Sequence, residues 1–361
     1  MNINYRPEID GLRAIAVISV IFYHANVVIF DEELFKGGFI GVDIFFVISG
    51  YLITSLILKE LNTTQSFSFM NFYQRRVRRI LPPLFFVMLL CFPVAWVYLD
   101  PGNFIDFSKS ILYSIGFSSN FYFWDMGQQY AAANSLLKPF LHTWSLSIEE
   151  QYYIIFPIFL FILFRYLRNY LLLFLIVSFI FSILLADWGS KNYPSATFYF
   201  LHSRAWELIA GSFLAFSEIY QHYKKNNLII QNSLSFIGFF IILFSIIFGK
   251  TYFPHPSFYT LAPVLGVCLV ILFSNKNTFI AKILSTKFFV GTGLISYSLY
   301  LWHYPIFAFA RINELDPGNI LNFLTLIIPI IILSILTFFF IEKPSRNRET
   351  KFKIILSSIF F

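Results

Sequence analysis

Apolar runs long enough to cross a bilayer alternate with short polar connections along almost the whole chain. A spanning helix needs about 20 mostly apolar residues to cross about 30 Å of hydrocarbon. Such runs fall at 12–30, 38–58, 80–99, 145–164, 170–187, 198–217, 232–249, 258–274, 289–310 and 320–341. The pattern predicts an all-α polytopic membrane helix bundle of about ten transmembrane helices. One further stretch, 104–124, is moderately apolar but carries Asp106, Lys109, several serines and Asn120. It is expected to lie at the outer interface or to re-enter the membrane without a net crossing. No repeat of fixed period is visible, so one membrane domain is expected over 1–346. A tail, 347–361, follows, and its apolar FKIILSSIFF is too short to cross.

Composition agrees with the pattern. Of 361 residues, 58% are hydrophobic and 12% charged, and the mean hydropathy is +0.70. Globular domains carry roughly 25% charged residues, so this chain has too few to cover a soluble surface. The net charge of +7 would raise nucleic acid as a partner in a soluble protein. Here, with the N-terminus inside and 104–124 not crossing, 19 of the 26 Lys and Arg fall on one side. Lys36, Lys109, Lys138, Lys191, Arg204, Lys250 and Arg311 fall on the other. Retention of cations on the cytoplasmic side explains the bias. Both termini are then cytoplasmic, the lipid bilayer is the partner, and no nucleic acid is implied. The first apolar run follows Asp10 and Arg13 and lacks a clear cleavage site, so it reads as an uncleaved helix. Cys91 and Cys268 sit singly in apolar runs, which predicts neither a disulfide framework nor a metal site.

Ionisable groups at membrane depth are costly and therefore point to function, with a structural pairing as the alternative. In EIDGLRAIAVISVIFYHA, Arg13 and His24 are eleven residues apart. That spacing returns to within about 20° of the same direction, three turns and about 16 Å on. Both are expected on one face, with His24 beyond the midplane and suited to proton or acyl transfer. GGFIGVDIFFVISGYLIT places Asp43 after three glycines near the outer end of the second helix. There it is expected to orient an imidazole, pair with an arginine, or serve only the helix dipole. FYQRRVRRILPP sets Arg75, Arg76, Arg78 and Arg79 before a span, which suits phosphate contacts or anionic lipid. HTWSLSIEEQYYIIFP groups His142, Trp144, Glu149 and Glu150 at an outer mouth, as a sugar-binding or proton-handling group. Ser147 and Glu150 also have the spacing of a capping box. SYSLYLWHYPIF buries His303 among aromatics.

In order along residues 5–346, these blocks and the closing IEKPSR resemble the acyltransferase-3 family of membrane O-acyltransferases, which decorate bacterial surface polysaccharides. The resemblance implies transfer of an acyl group, commonly acetyl, from cytoplasmic acetyl-CoA to a hydroxyl of an extracytoplasmic glycan. Lipopolysaccharide O-antigen, capsule and peptidoglycan are among the acceptors it allows. The protein is expected in the bacterial inner (cytoplasmic) membrane. The resemblance places the family's paired basic residue and histidine on Arg13 and His24; from that pairing His24 is expected to act as general base or transient acyl acceptor, with Asp43 or Glu149 as its expected orienting carboxylate. Arg75, Arg76, Arg78 and Arg79 would contact coenzyme A. From their own positions in the chain, His142, Trp144, Glu150 and His303 are expected to face the acceptor. No metal is implied. Relatives often continue into an extracytoplasmic SGNH hydrolase-like domain, for which this sequence has no room. It is therefore expected to act alone or to hand the acyl group to a separate extracytoplasmic protein. The alternative reading is a transporter or flippase of a lipid-linked glycan, because buried charges also mark transport paths.

Overall fold

The computed structural model describes residues 5–128, 135–220, 227–249 and 253–347. Most of the expected tail, including FKIILSSIFF, lies outside the described residues, as do Lys224, Lys225, Lys250, Arg348, Lys351 and Lys353 of the charge count.

In chain order the helices are α1 (Pro7–Ala25), α2 (Ile40–Thr64), α3 (Phe69–Tyr98), α4 (Pro101–Ile115), α5 (Ser119–Gln128), α6 (Thr143–Tyr166), α7 (Leu171–Asn192) and α8 (Pro194–Tyr199). They continue as α9 (Leu201–Ile219), α10 (Leu228–Phe248), α11 (Leu261–Phe273), α12 (Phe279–Leu284), α13 (Lys287–Leu294), α14 (Ser296–Ile312), α15 (Ile320–Thr337) and α16 (Lys343–Ser345). A π-helical turn at Phe338–Glu342 joins the last two. The strands β1 (Val28–Ile29) and β2 (Glu32–Glu33) form a small antiparallel hairpin.

Nine of the ten predicted spans each overlap one main helix, the remaining one, 289–310, is divided between α13 and α14 at Ile295, and the protein is an all-α polytopic membrane protein. Among the described residues, six helices are long and apolar enough to cross by those measures alone: α2, α3, α6, α7, α10 and α15 with its extension. The other four fall short for visible reasons. α1 carries Glu8, Asp10 and Arg13, and α9 carries Arg204, Glu207 and Glu218. α11 has 13 residues and α14 has 17. The ambiguous 104–124 stretch folds as α4 and α5, separated at Gly116–Ser118. At 15 and 10 residues, with about 1.5 Å of rise each, neither reaches across the hydrocarbon.

By residue packing the chain divides into two compact units, each assembled from separated segments. The first comprises Met1–Tyr23, Phe35–Phe67 and Ile148–Leu294; the second comprises His24–Leu34, Ser68–Ser147 and Ile295–Phe361. No local signal announces this interleaving, because both units are made of the same kind of apolar helix.

In the first unit, α2 is the central helix, with 78% of its most apolar window buried. Its core partners include Leu12, Trp206, Ala210, Ile242 and Val267, from α1, α9, α10 and α11. Close approach of α2 and α9 explains a glycine on each. A Cβ on Gly50 would lie 1.8 Å from the Leu208 carbonyl oxygen, and one on Gly211 would lie 2.0 Å from that of Val47. Only a residue without a side chain permits that contact.

In the second unit, α3 and α14 are tied to the chain's last described turns. Tyr297 donates to the Ile80 carbonyl at 2.8 Å, Trp302 Nε1 to Thr337 Oγ1 at 2.9 Å, and Ser298 Oγ to Glu342 Oε2 at 2.7 Å. Glu342 is fully buried and is also held by Arg346. The IEKPSR block thus has a structural task as a buried acid with two donors, which meets the requirement that a buried charge be paired.

Candidate active site

α1 ends in the second unit with His24, and α14 brings His303 against it. His24 Nδ1 and His303 Nε2 are 2.9 Å apart, and His303 Nδ1 lies 3.2 Å from the Leu299 carbonyl. A carbonyl only accepts, so His303 Nδ1 carries the proton, and in a neutral ring its Nε2 is the acceptor. His24 Nδ1 must then be the donor. The basic nitrogen of a neutral His24 is therefore Nε2. This tautomer follows from the bonding pattern, and the Leu299 carbonyl sets it at one remove.

The rings packed around the two histidines are aromatic. Tyr304 meets His24 edge-on at 4.8 Å, and His142 stacks on Tyr304 at 5.3 Å and stands 5.4 Å from His303. His142 is 1% exposed, and among the described residues neither of its ring nitrogens has a hydrogen-bond partner. Burial first, then His303 and His24, holds its imidazole well below the usual histidine range. Its backbone is anchored, since Tyr300 donates to the His142 carbonyl at 2.5 Å. The turn that carries it is also fixed. Ser114 and Thr143 are 2.8 Å apart, Thr143 donates to Ser119 at 2.9 Å, and Ser119 and Ser147 are 2.8 Å apart. The polar residues that made 104–124 ambiguous therefore hold the start of α6 in place, which is a structural use of buried hydroxyls.

Two of these residues escaped the sequence reading in different ways. Tyr304 was visible only as an aromatic neighbour of His303. Arg311 was counted only as an outer cation, yet its Nη2 donates to the His24 carbonyl at 2.6 Å and lies 3.4 Å from that of Ala25. It caps α1 where the last carbonyls lack helical partners.

The carboxylates expected to orient His24 both have partners within the first unit. Asp43 Oδ1 accepts from Arg204 Nη2 at 2.7 Å, with both side chains at most 1% exposed. Arg204 Nη1 also lies 3.1 Å from Glu207 and 3.0 Å from His255 Nε2. Of the roles left open for Asp43, the structure shows the arginine pair. Glu149 accepts from Ser49 Oγ at 2.7 Å. Within its own unit His24 meets His303, which the sequence reading expected to face the acceptor. Arg204 and Glu207 were missed, although an Arg and a Glu three apart in an apolar helix are a readable ion-pair signal. Trp144 and Glu150 are buried, Trp144 in the second unit and Glu150 in the first.

Arg13, eleven residues before His24 on the continuous α1, donates to Asp10 Oδ1 at 2.9 Å, so its charge is balanced locally. The arginine block divides. Arg78 is 8% exposed and donates to the Asn347 carbonyl at 2.8 Å. Arg76 lies over the Phe72 ring at 5.7 Å. Arg75 and Arg79 are half-buried on the same helix.

Residues 6–341 match the family model described as an acyltransferase domain. The chain belongs to that family. It is 35% identical over 358 residues to the peptidoglycan O-acetyltransferase OatA of Listeria monocytogenes, covering 95% of this chain and 56% of that relative. It is 36% identical over 363 residues to a putative O-acetyltransferase of Staphylococcus aureus, covering 96% and 58%. A third relative, the O-acetyltransferase OatA of another Staphylococcus aureus strain, is 31% identical over 360 residues. The chain thus spans rather more than half the length of these relatives. No solved structure matches it.

Proposed function

We propose that this acyltransferase domain moves an acetyl group from cytoplasmic acetyl-CoA to a hydroxyl of an extracytoplasmic glycan, with His24 as general base. The observation that carries the reading is the chain Leu299 carbonyl, His303, His24, which directs the lone pair of His24 to Nε2. In this scheme Nε2 takes the proton of the acceptor hydroxyl as its oxygen attacks the thioester carbonyl. The tetrahedral intermediate then expels the coenzyme A sulfur, and Nε2–H returns the proton to the thiolate. Direct transfer needs donor and acceptor together, whereas acetylation of Nε2 itself would separate the two steps.

Arg75, Arg76 and Arg79 are assigned to the donor's phosphates, while Arg78 serves as a backbone tie. His142 is assigned to the acceptor: a buried imidazole whose two nitrogens lack protein partners favours a ligand with hydroxyls. Peptidoglycan is the acceptor that the Listeria relative's name supports, and it takes the place of lipopolysaccharide O-antigen as the expected glycan. The chain is assigned to the bacterial cytoplasmic membrane.

The test is mass spectrometry of cell-wall glycan from a strain that depends on this gene. Wild type should add the mass of an acetyl group to each modified sugar. His24→Ala, inserted at normal levels, should add none, and unchanged acetylation in that variant sinks the assignment. A flippase would change the amount of exported glycan and leave its mass unaltered.

A further inference from the structure

α14 meets His24 through its ring and again through its backbone. The His303 ring stands 2.9 Å from His24 Nδ1, while Arg311 Nη2 donates to the His24 carbonyl at 2.6 Å and lies 3.4 Å from that of Ala25. Arg311 follows His303 by eight residues on the same helix, about 12 Å along its axis. Ring and backbone of one histidine are therefore held from one rigid element, and all three residues belong to the second unit.

The end of α1 needs such a hold. The chain turns left-handed at Asn26, with φ of 57°, and the last carbonyls of a helix have no amide of that helix to accept from. Just beyond, the turn between α14 and α15 takes over. The Gly318 carbonyl accepts from the Val28 N–H at 3.1 Å, and a Cβ on Gly318 would lie 2.8 Å from the Asn26 carbonyl oxygen. A cationic donor suits this end of a helix, where the dipole is negative. Arg311 is nevertheless a costly choice for a plain cap. It is half-buried, its Nη1 is closed off from solvent with no hydrogen-bond partner among the described residues, and it belongs to no ion pair among them. A guanidinium partly taken out of water without a carboxylate costs stability, and an ionisable group kept at membrane depth on those terms points to function.

A ring held only through Nδ1 can still swing about that hydrogen bond and carry Nε2 through an arc. Fixing the carbonyl of the same residue removes this freedom, because Cα no longer follows the ring. The gain is large, since a displacement of about 1 Å can cost about a hundredfold in rate. We infer that Arg311 is a positioning residue for acyl transfer, acting through His24 by setting where Nε2 points. The inference rests on the reading of His24 as the base.

The experiment measures initial rates of acetyl transfer to cell-wall glycan in vesicles across acetyl-CoA concentrations. Rates are taken per inserted molecule for the full-length wild type, Arg311→Met, Arg311→Lys and His24→Ala. Arg311→Met keeps an unbranched apolar stem but donates nothing, so its kcat should fall about tenfold or more while KM for acetyl-CoA stays near wild type. Arg311→Lys keeps the charge and a donor on a long stem, and its kcat should stand at least about threefold above that of Arg311→Met. Where Arg311→Met does not accumulate, Arg311→Gln, whose amide is too short to reach the two carbonyls, takes its place at the same threshold. Two results overturn the inference while an inactive His24→Ala leaves the base in place. One is a kcat in Arg311→Met within about twofold of wild type. The other is an equal loss in Arg311→Met and Arg311→Lys, which marks packing alone. Transfer that persists in His24→Ala overturns the base reading itself, and this inference with it.

Discussion

Replacing His303 by Phe keeps a ring of similar size against Tyr304 and Phe307 but removes the acceptor 2.9 Å from His24 Nδ1. The Nδ1–H of His24 would then be left without its partner in a pocket where His303 is fully buried. An unsatisfied buried donor costs about 1–3 kcal/mol, and about 1.4 kcal/mol is tenfold in a population. The tautomer with the lone pair on Nε2 should therefore become roughly 5- to 150-fold less populated, and the transfer rate should fall in proportion while KM for acetyl-CoA stays near wild type. His303→Gln offers a side-chain oxygen near the position of Nε2 and should recover much of that rate. The assay is the initial rate of acetyl transfer to cell-wall glycan in vesicles, read by mass spectrometry across donor concentrations. Because the two histidines act as one unit, adding His303→Phe to His24→Ala should cost nothing further. A His303→Phe rate within twofold of wild type would refute the tautomer chain. So would equal losses in His303→Phe and His303→Gln, which point to packing alone.

Other expectations follow from the same geometry. Arg204→Met should lower the melting temperature sharply, since breaking a buried ion pair typically costs about 3–5 kcal/mol; adding Asp43→Asn and Glu207→Gln should restore part of it. Gly50→Ala should destabilise by about 1–3 kcal/mol in detergent unfolding, because its methyl group meets the Leu208 carbonyl and α2 must shift from α9. Arg79→Gln should raise KM for acetyl-CoA with little change in stability, whereas Arg78→Gln should lower stability by releasing the Asn347 carbonyl. In the loop before α11, burial and then the charge of Arg204 hold His255 below its ordinary 6.5. The unfolded chain then binds more protons, so stability present above pH 6.5 should be lost as pH falls below it. His255→Gln should flatten that slope, and an unchanged acid limb of the melting-temperature profile would contradict the shift.

The sequence by itself determined the class of the protein and the places where its helices run. Both depend on local quantities, apolar run length and the side on which Lys and Arg accumulate, and every predicted span except 289–310, which breaks at Ile295, follows one main helix. It also picked out His24, because an imidazole deep in an apolar run is conspicuous one residue at a time. What a residue touches is not local, and the tertiary structure decided that. Asp43 and Glu149 looked like partners for His24 from their type and depth. Asp43 instead meets Arg204 from a helix more than a hundred residues away, Glu149 meets Ser49, and His303 reaches His24 from α14. The division into two interleaved units has the same origin. It is set by which helix faces pack together, and one-dimensional hydropathy cannot distinguish an apolar face turned to another helix from one turned to lipid.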